Sequence, residues 1–138
     1  MPKRVLSGKL TQNENIDLLG AAINGDMTMV ITPTAVTSAA TAEAWTRVVN
    51  VKVVDSNGTK HAWLTQDFTT TASIADTSTA GTASITSTTL SLVGGEANIT
   101  VSGDAADWLA TETDTLTIGD LTILGYTVTG GTSVETFA

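Results

Sequence analysis

The stretch Trp45-Thr-Arg-Val-Val-Asn-Val-Lys-Val-Val-Asp-Ser-Asn-Gly-Thr-Lys-His-Ala-Trp-Leu-Thr65 is crowded with valine in its first half. Alternate residues of a strand share a face, so Trp45, Val49, Val51 and Val53 fall on one side. Thr46, Val48, Asn50, Lys52 and Val54 fall on the other, mostly polar side. Asp-Ser-Asn-Gly then supplies turn chemistry, because Asn57 and Gly58 both tolerate positive φ. The expected result is a β-hairpin whose second strand runs through His61–Thr65.

The rest of the chain continues in the same idiom. Of 138 residues about a fifth are Thr, and Ser, Ala, Gly and Val are also abundant. β-branched residues suit a pleated, half-buried surface. Regularly placed aliphatics and three Trp argue for a packed core over a disordered chain. Asp26–Thr32 reads as a strand that ends at Pro33, and Thr34–Glu43 as a connector. The low-complexity run Thr69–Gly81 reads as a loop or a weak edge strand. In Thr82–Val93, Leu90 and Leu92 oppose Thr89 and Ser91; Ile99 and Val101 share a face further on. Ala105–Thr111 suggests one helical turn, Thr113–Ile118 and Leu121–Thr129 a hairpin about Gly119-Asp120, and the chain closes on a short strand ending at Phe137.

Turns recurring every 8–12 residues between short alternating strands indicate an all-β, antiparallel, immunoglobulin-like sandwich. Residues 45–138 are assigned to the sandwich and 1–44 to an N-terminal arm. Within the arm, Thr11-Gln-Asn-Glu14 fits a capping box ahead of a short helix over about 12–22, with an irregular loop as the alternative.

The net charge is −8 and unevenly spread. Residues 1–60 carry six Lys or Arg against five acids, whereas 61–138 carry nine acids and no Lys or Arg. An acidic body disfavours nucleic-acid and anionic-membrane partners, since phosphate neutralisation needs cations. There is no run of about 18 apolar residues to span a bilayer. No apolar segment suited to a signal peptide follows Met-Pro-Lys-Arg, so synthesis in a cytoplasm without export is expected.

No catalytic constellation is expected. His61 is the single histidine, there is no cysteine, and no Gly-x-Ser-x-Gly occurs. Asp104, Asp107, Glu112 and Asp114 offer oxygen ligands near one turn, but their spacing matches no EF-hand, and solvated acids are the simpler reading. No metal or cofactor is expected. Trp63 and Trp108 are candidate ligand-stacking or interface aromatics, while Trp45 shares the valine face and reads as core.

The run Val-Asn-Val-Lys-Val-Val-Asp-Ser-Asn-Gly, then Ala-Trp-Leu, then the Thr/Ala/Gly-rich stretch Thr70–Gly81, with a closing Phe137-Ala138, resembles small structural proteins of tailed bacteriophages. The resemblance covers residues 45–138. It implies a virion component made in the host bacterial cytoplasm: a capsid decoration (cement) protein that stabilises a phage head. Its expected partners are the major capsid protein and copies of itself, a trimer being attractive at threefold joints. The alternative is a tail-fibre or adhesin module that recognises a cell-surface glycan. On the decoration reading, Lys3, Arg4, Val5, Leu6, Lys9 and Leu10 make the capsid or subunit contact.

Overall fold

The valine-rich stretch forms β3 (Trp45–Val54), and its alternation holds: Val49, Val51 and Val53 are fully buried while Val48 is exposed. Val54 departs from the parity rule, being buried at the strand end. A computed structural model describes residues 27–55, 57–58, 68–123 and 125–138 of the protein. In it β3 lies between β1 (Thr28–Thr32) and β7 (Glu96–Gly103), antiparallel to both, and β5 (Ala83–Ile85) adds to the far side of β7.

The facing sheet has the spatial order β2 (Ala35–Ser38), β11 (Gly131–Phe137), β8 (Thr113–Ile118), β4 (Phe68–Asp76) and β6 (Thr89–Leu92). A small hairpin of β9 (Leu121–Ile123) and β10 (Tyr126–Val128) is inserted between β8 and β11. All the strand pairings are antiparallel except that of β2 with β11. Four strands facing five, with the last strand beside the eighth and the eighth beside the fourth, make an immunoglobulin-like β-sandwich. The described residues contain no helix.

The core is the meeting of two inner faces. Ile31, Val49, Val51, Ile99 and Val101 come from one sheet, and Ala72, Leu90, Leu92, Leu116 and Ile118 from the other. Two edge segments belong to both sheets. On one side the chain runs along β3 as β1, passes the cis Thr32–Pro33 bond and continues along β11 as β2. On the other side it follows β7 as β5 and then crosses to β4 as β6.

Several expectations are corrected. The boundary after residue 44 does not hold, because β1 and β2 pair with β3 and β11 and so belong to the sandwich. Among the described residues both sides of β3 are taken by other strands. β1 takes one side of β3 over 50–54 and β7 the other over 45–52, and the next described strand, β4, lies in the opposite sheet. The turn itself is present: Gly58, at φ +76°, donates to the Asp55 carbonyl at 3.0 Å. His61–Thr65 lies outside the described residues, as does the helix expected over 12–22.

The run 69–81, expected as a loop or a weak edge strand, holds most of β4, which has β6 and β8 as its neighbours, followed by an irregular connector from residue 77. β8 pairs with β11 and β4, not with the segment after Gly119-Asp120. Residues 105–111 form a bend, a bridge and a tight turn in place of a helix, with Trp108 bridged to Thr41 through paired backbone hydrogen bonds of 2.8 and 3.1 Å.

Candidate functional site

Arg47 shares the parity of Trp45, Val49 and Val51, so β3 aims a guanidinium into the space between the sheets. β8 and β11 place Asp114 and Glu135 directly opposite each other on their inner faces. The three side chains meet there, exposed only 10%, 0% and 4%. Arg47 Nη2 donates to Asp114 Oδ1, and Nε stands 3.1 Å from Glu135 Oε2. Arg47 Nη1 donates to Ser133 Oγ at 2.8 Å, and Ser133 Oγ donates to the Pro33 carbonyl at 2.6 Å. Ser38 Oγ donates to Glu135 Oε1. One connected network therefore reaches from β3 across to β8 and β11, and out to the edge strand β2.

Its charge is unbalanced when every group is ionised: one cation faces two carboxylates. Burial first, then the facing Glu135 carboxyl, push Asp114 up to about 7, while Arg47 pulls it down. Asp114 Oδ2 and Glu135 Oε2 are both buried without a hydrogen-bond donor. A proton on Asp114 brings the cluster to neutrality.

An aromatic cluster adjoins the network. Trp45, Trp108 and Phe137 pack with ring centroids 5.1 to 5.5 Å apart, the two indoles edge to face at 81°. Gly81 and Gly103 form its walls: a Cβ at Gly81 would enter the Trp108 ring and one at Gly103 the Trp45 ring. Trp108 Nε1 donates to the Asp104 carbonyl at 3.1 Å.

Trp108 is fully buried, so its ring cannot serve as a surface platform for a ligand, which corrects that expectation. Trp63 and the contact residues Lys3, Arg4, Val5, Leu6, Lys9 and Leu10 lie outside the described residues. The acids considered for a cation are dispersed. Glu112 accepts from the Leu109 and Thr79 amides, which hold its carboxyl below the usual range. Asp104 accepts from the Thr82 amide at 2.8 Å, while Asp114 turns inward to Arg47. Among the described residues no three metal-ligating side chains converge.

The Arg47 cluster escaped the sequence reading, although its signal was present. Arg47, Asp114 and Glu135 each stand on the apolar parity of their own strands, beside Val49, Leu116 and Phe137. Chemically the cluster is a sealed clamp between sheets. Ser133 is fully buried and its hydroxyl proton is committed to Pro33, which leaves no free nucleophile there.

No protein-family model matches the chain, and no curated protein matches it. Among solved structures the chain is similar to one described as the structure of WR4, a C. elegans MSP family member. That likeness has 6% identity and a TM-score of 0.47, covering 80% of this chain and 98% of that one.

Proposed function

We propose that this chain is a structural virion protein, a capsid decoration protein that binds the outer surface of a phage head in many copies and stabilises it. The observation that carries the reading is the partition of charge. Both basic side chains of the described body are committed to its own acids: Arg47 to Asp114 and Glu135, and Lys52 to Glu96 at 3.4 Å. The sandwich thus presents an acidic, self-contained body. The other cations are Lys3, Arg4, Lys9 and Lys60, three of them in the first nine residues.

An arm that grips a shell through Lys3, Arg4 and Lys9, seated by Val5, Leu6 and Leu10, suits that division of labour. The sandwich adds bulk across a joint without covalent chemistry. The resemblance to small phage structural proteins at the β3 segment supports the same reading.

Quantitative mass spectrometry of purified virus particles, scaled to the major capsid protein, tests it. Copies in the hundreds support shell decoration, a few dozen or fewer move the chain to the tail, and absence removes the proposal. Binding of the full chain and of a chain lacking residues 1–12 to undecorated capsids tests the arm. Equal binding by the two sinks the assignment of Lys3, Arg4 and Lys9 as the contact.

A further inference from the structure

The outer face of the five-stranded sheet reverses the usual arrangement of a soluble sandwich. Asp76, Asp114 and Glu135 are the charged residues of its five strands, and all three lie on the inner parity. Asp114 and Glu135 are buried in the Arg47 network, and Asp76 Oδ2 accepts from the Ala83 amide at 2.9 Å. The outward positions carry only Thr, Ser, Ala and Val. In register, Thr132 pairs with Thr117 and Thr117 with Ser73; Val134 pairs with Thr115 and Thr115 with Ala75. Thr136 faces Thr113 on one side of the sheet, and Thr69 and Thr71 face Ser91 and Thr89 on the other. The opposite outer face carries Lys52, Glu96 and an Asn50–Asn98 hydrogen bond of 2.9 Å.

We infer that this uncharged hydroxyl face is a self-association surface, on which two copies of the chain pack face to face about a twofold axis. The occupant follows from charge and size. Each copy carries a net charge of −8, so two copies approach closely only where neither presents an acid. A twofold contact is self-complementary, and hydroxyls satisfy that condition because each both donates and accepts. Strands about 4.8 Å apart with same-face residues about 6.8 Å apart give roughly 400–500 Å² per copy. The pair then buries about 800–1,000 Å², the small end of specific interfaces, which makes the dimer weak and concentration-dependent. Its dependence on salt is distinctive. The contact contains no ion pair and the bodies repel, so added salt strengthens association.

Sedimentation velocity of the full chain from about 10 to 500 µM, at low and moderate NaCl, is the test. The expected result is a monomer–dimer equilibrium shifted toward dimer by salt. Thr117→Glu and Thr117→Lys should each lose the dimer while keeping the wild-type circular dichroism and melting temperature. An equimolar mixture of the two should restore it. Asn98→Glu, on the opposite face, should leave it unchanged. A monomer throughout the range overturns the inference, as does a dimer indifferent to Thr117. Capsid binding that is lost in the Thr117 variants while the free chain stays monomeric would assign the face to the shell instead and also overturn it. The sedimentation outcomes do not depend on whether the chain is found in particles, so failure here and failure of the decoration reading are separable.

Discussion

Arg47 stands where the pattern of β3 calls for an apolar side chain, and the molecule answers with two carboxylates and a proton. Removing one member of such a buried set leaves uncompensated charge. Arg47→Met is therefore expected to cost about 3–5 kcal/mol, read as a lower urea midpoint. Replacing Arg47, Asp114 and Glu135 together by apolar residues of similar volume should recover most of that loss. The pH dependence has a definite sign. Burial holds the folded Asp114 carboxyl up at about 7, well above its ordinary value of 3.8, so the native state keeps a proton that the unfolded chain gives up. Its stabilising contribution is full below about pH 4, declines between pH 4 and 7, and is gone above the folded value. Asp114→Asn should flatten that decline, which amounts to a few kcal/mol on the order-of-magnitude scale of about 1.4 per pH unit. An equal change of the urea midpoint with pH in the two proteins would contradict the protonated Asp114.

At the scale of elements, legibility followed the size of the inward side chains. β3, β6, β7 and β8 were readable because Val, Leu and Ile alternate there with Thr, Ser and Asn. β4 was obscured because Thr70 and Ala72 are its buried residues, and small inner side chains erase the alternation. β2 is four residues long and its partner is the last strand, so no local pattern marks it. β5 and β6 read as one unit because the change of sheet between them leaves no trace in hydropathy. The site was legible only by parity: a charged residue on an apolar face was passed over for its type. Thr70 yields a prediction of its own. Its hydroxyl reaches the Gly119 and Asp120 carbonyls at 2.7 and 3.0 Å, tying β4 to the end of β8. Thr70→Val should lower stability by about 1–3 kcal/mol with an unchanged urea m-value, because acceptors lose a buried donor while the surface exposed on unfolding stays the same. Gly103→Ala, which drives a methyl into Trp45 beside β5, should cost about 1–3 kcal/mol and alter tryptophan emission.

For the whole molecule, the two edge segments that change sheets prevent either sheet from coming away alone. Trp45 and Trp108 report on the interior where the sheets meet, packed against each other and against Phe137. Tryptophan emission and far-ultraviolet circular dichroism should therefore trace one coincident urea transition. Separate midpoints would show that one layer opens ahead of the other. The parallel pairing of β2 with β11 carries a mechanical consequence. A pull on the N-terminal side of β2 and on the C-terminal end of β11 drives these strands along each other in opposite directions. The Thr34–Val134 and Ser38–Ala138 hydrogen bonds, 2.9 and 2.8 Å long, are then loaded together and must rupture together, where an unzipping geometry would break them in turn. Tension applied between these two points therefore meets a shear clamp, in which the pairing resists as a unit.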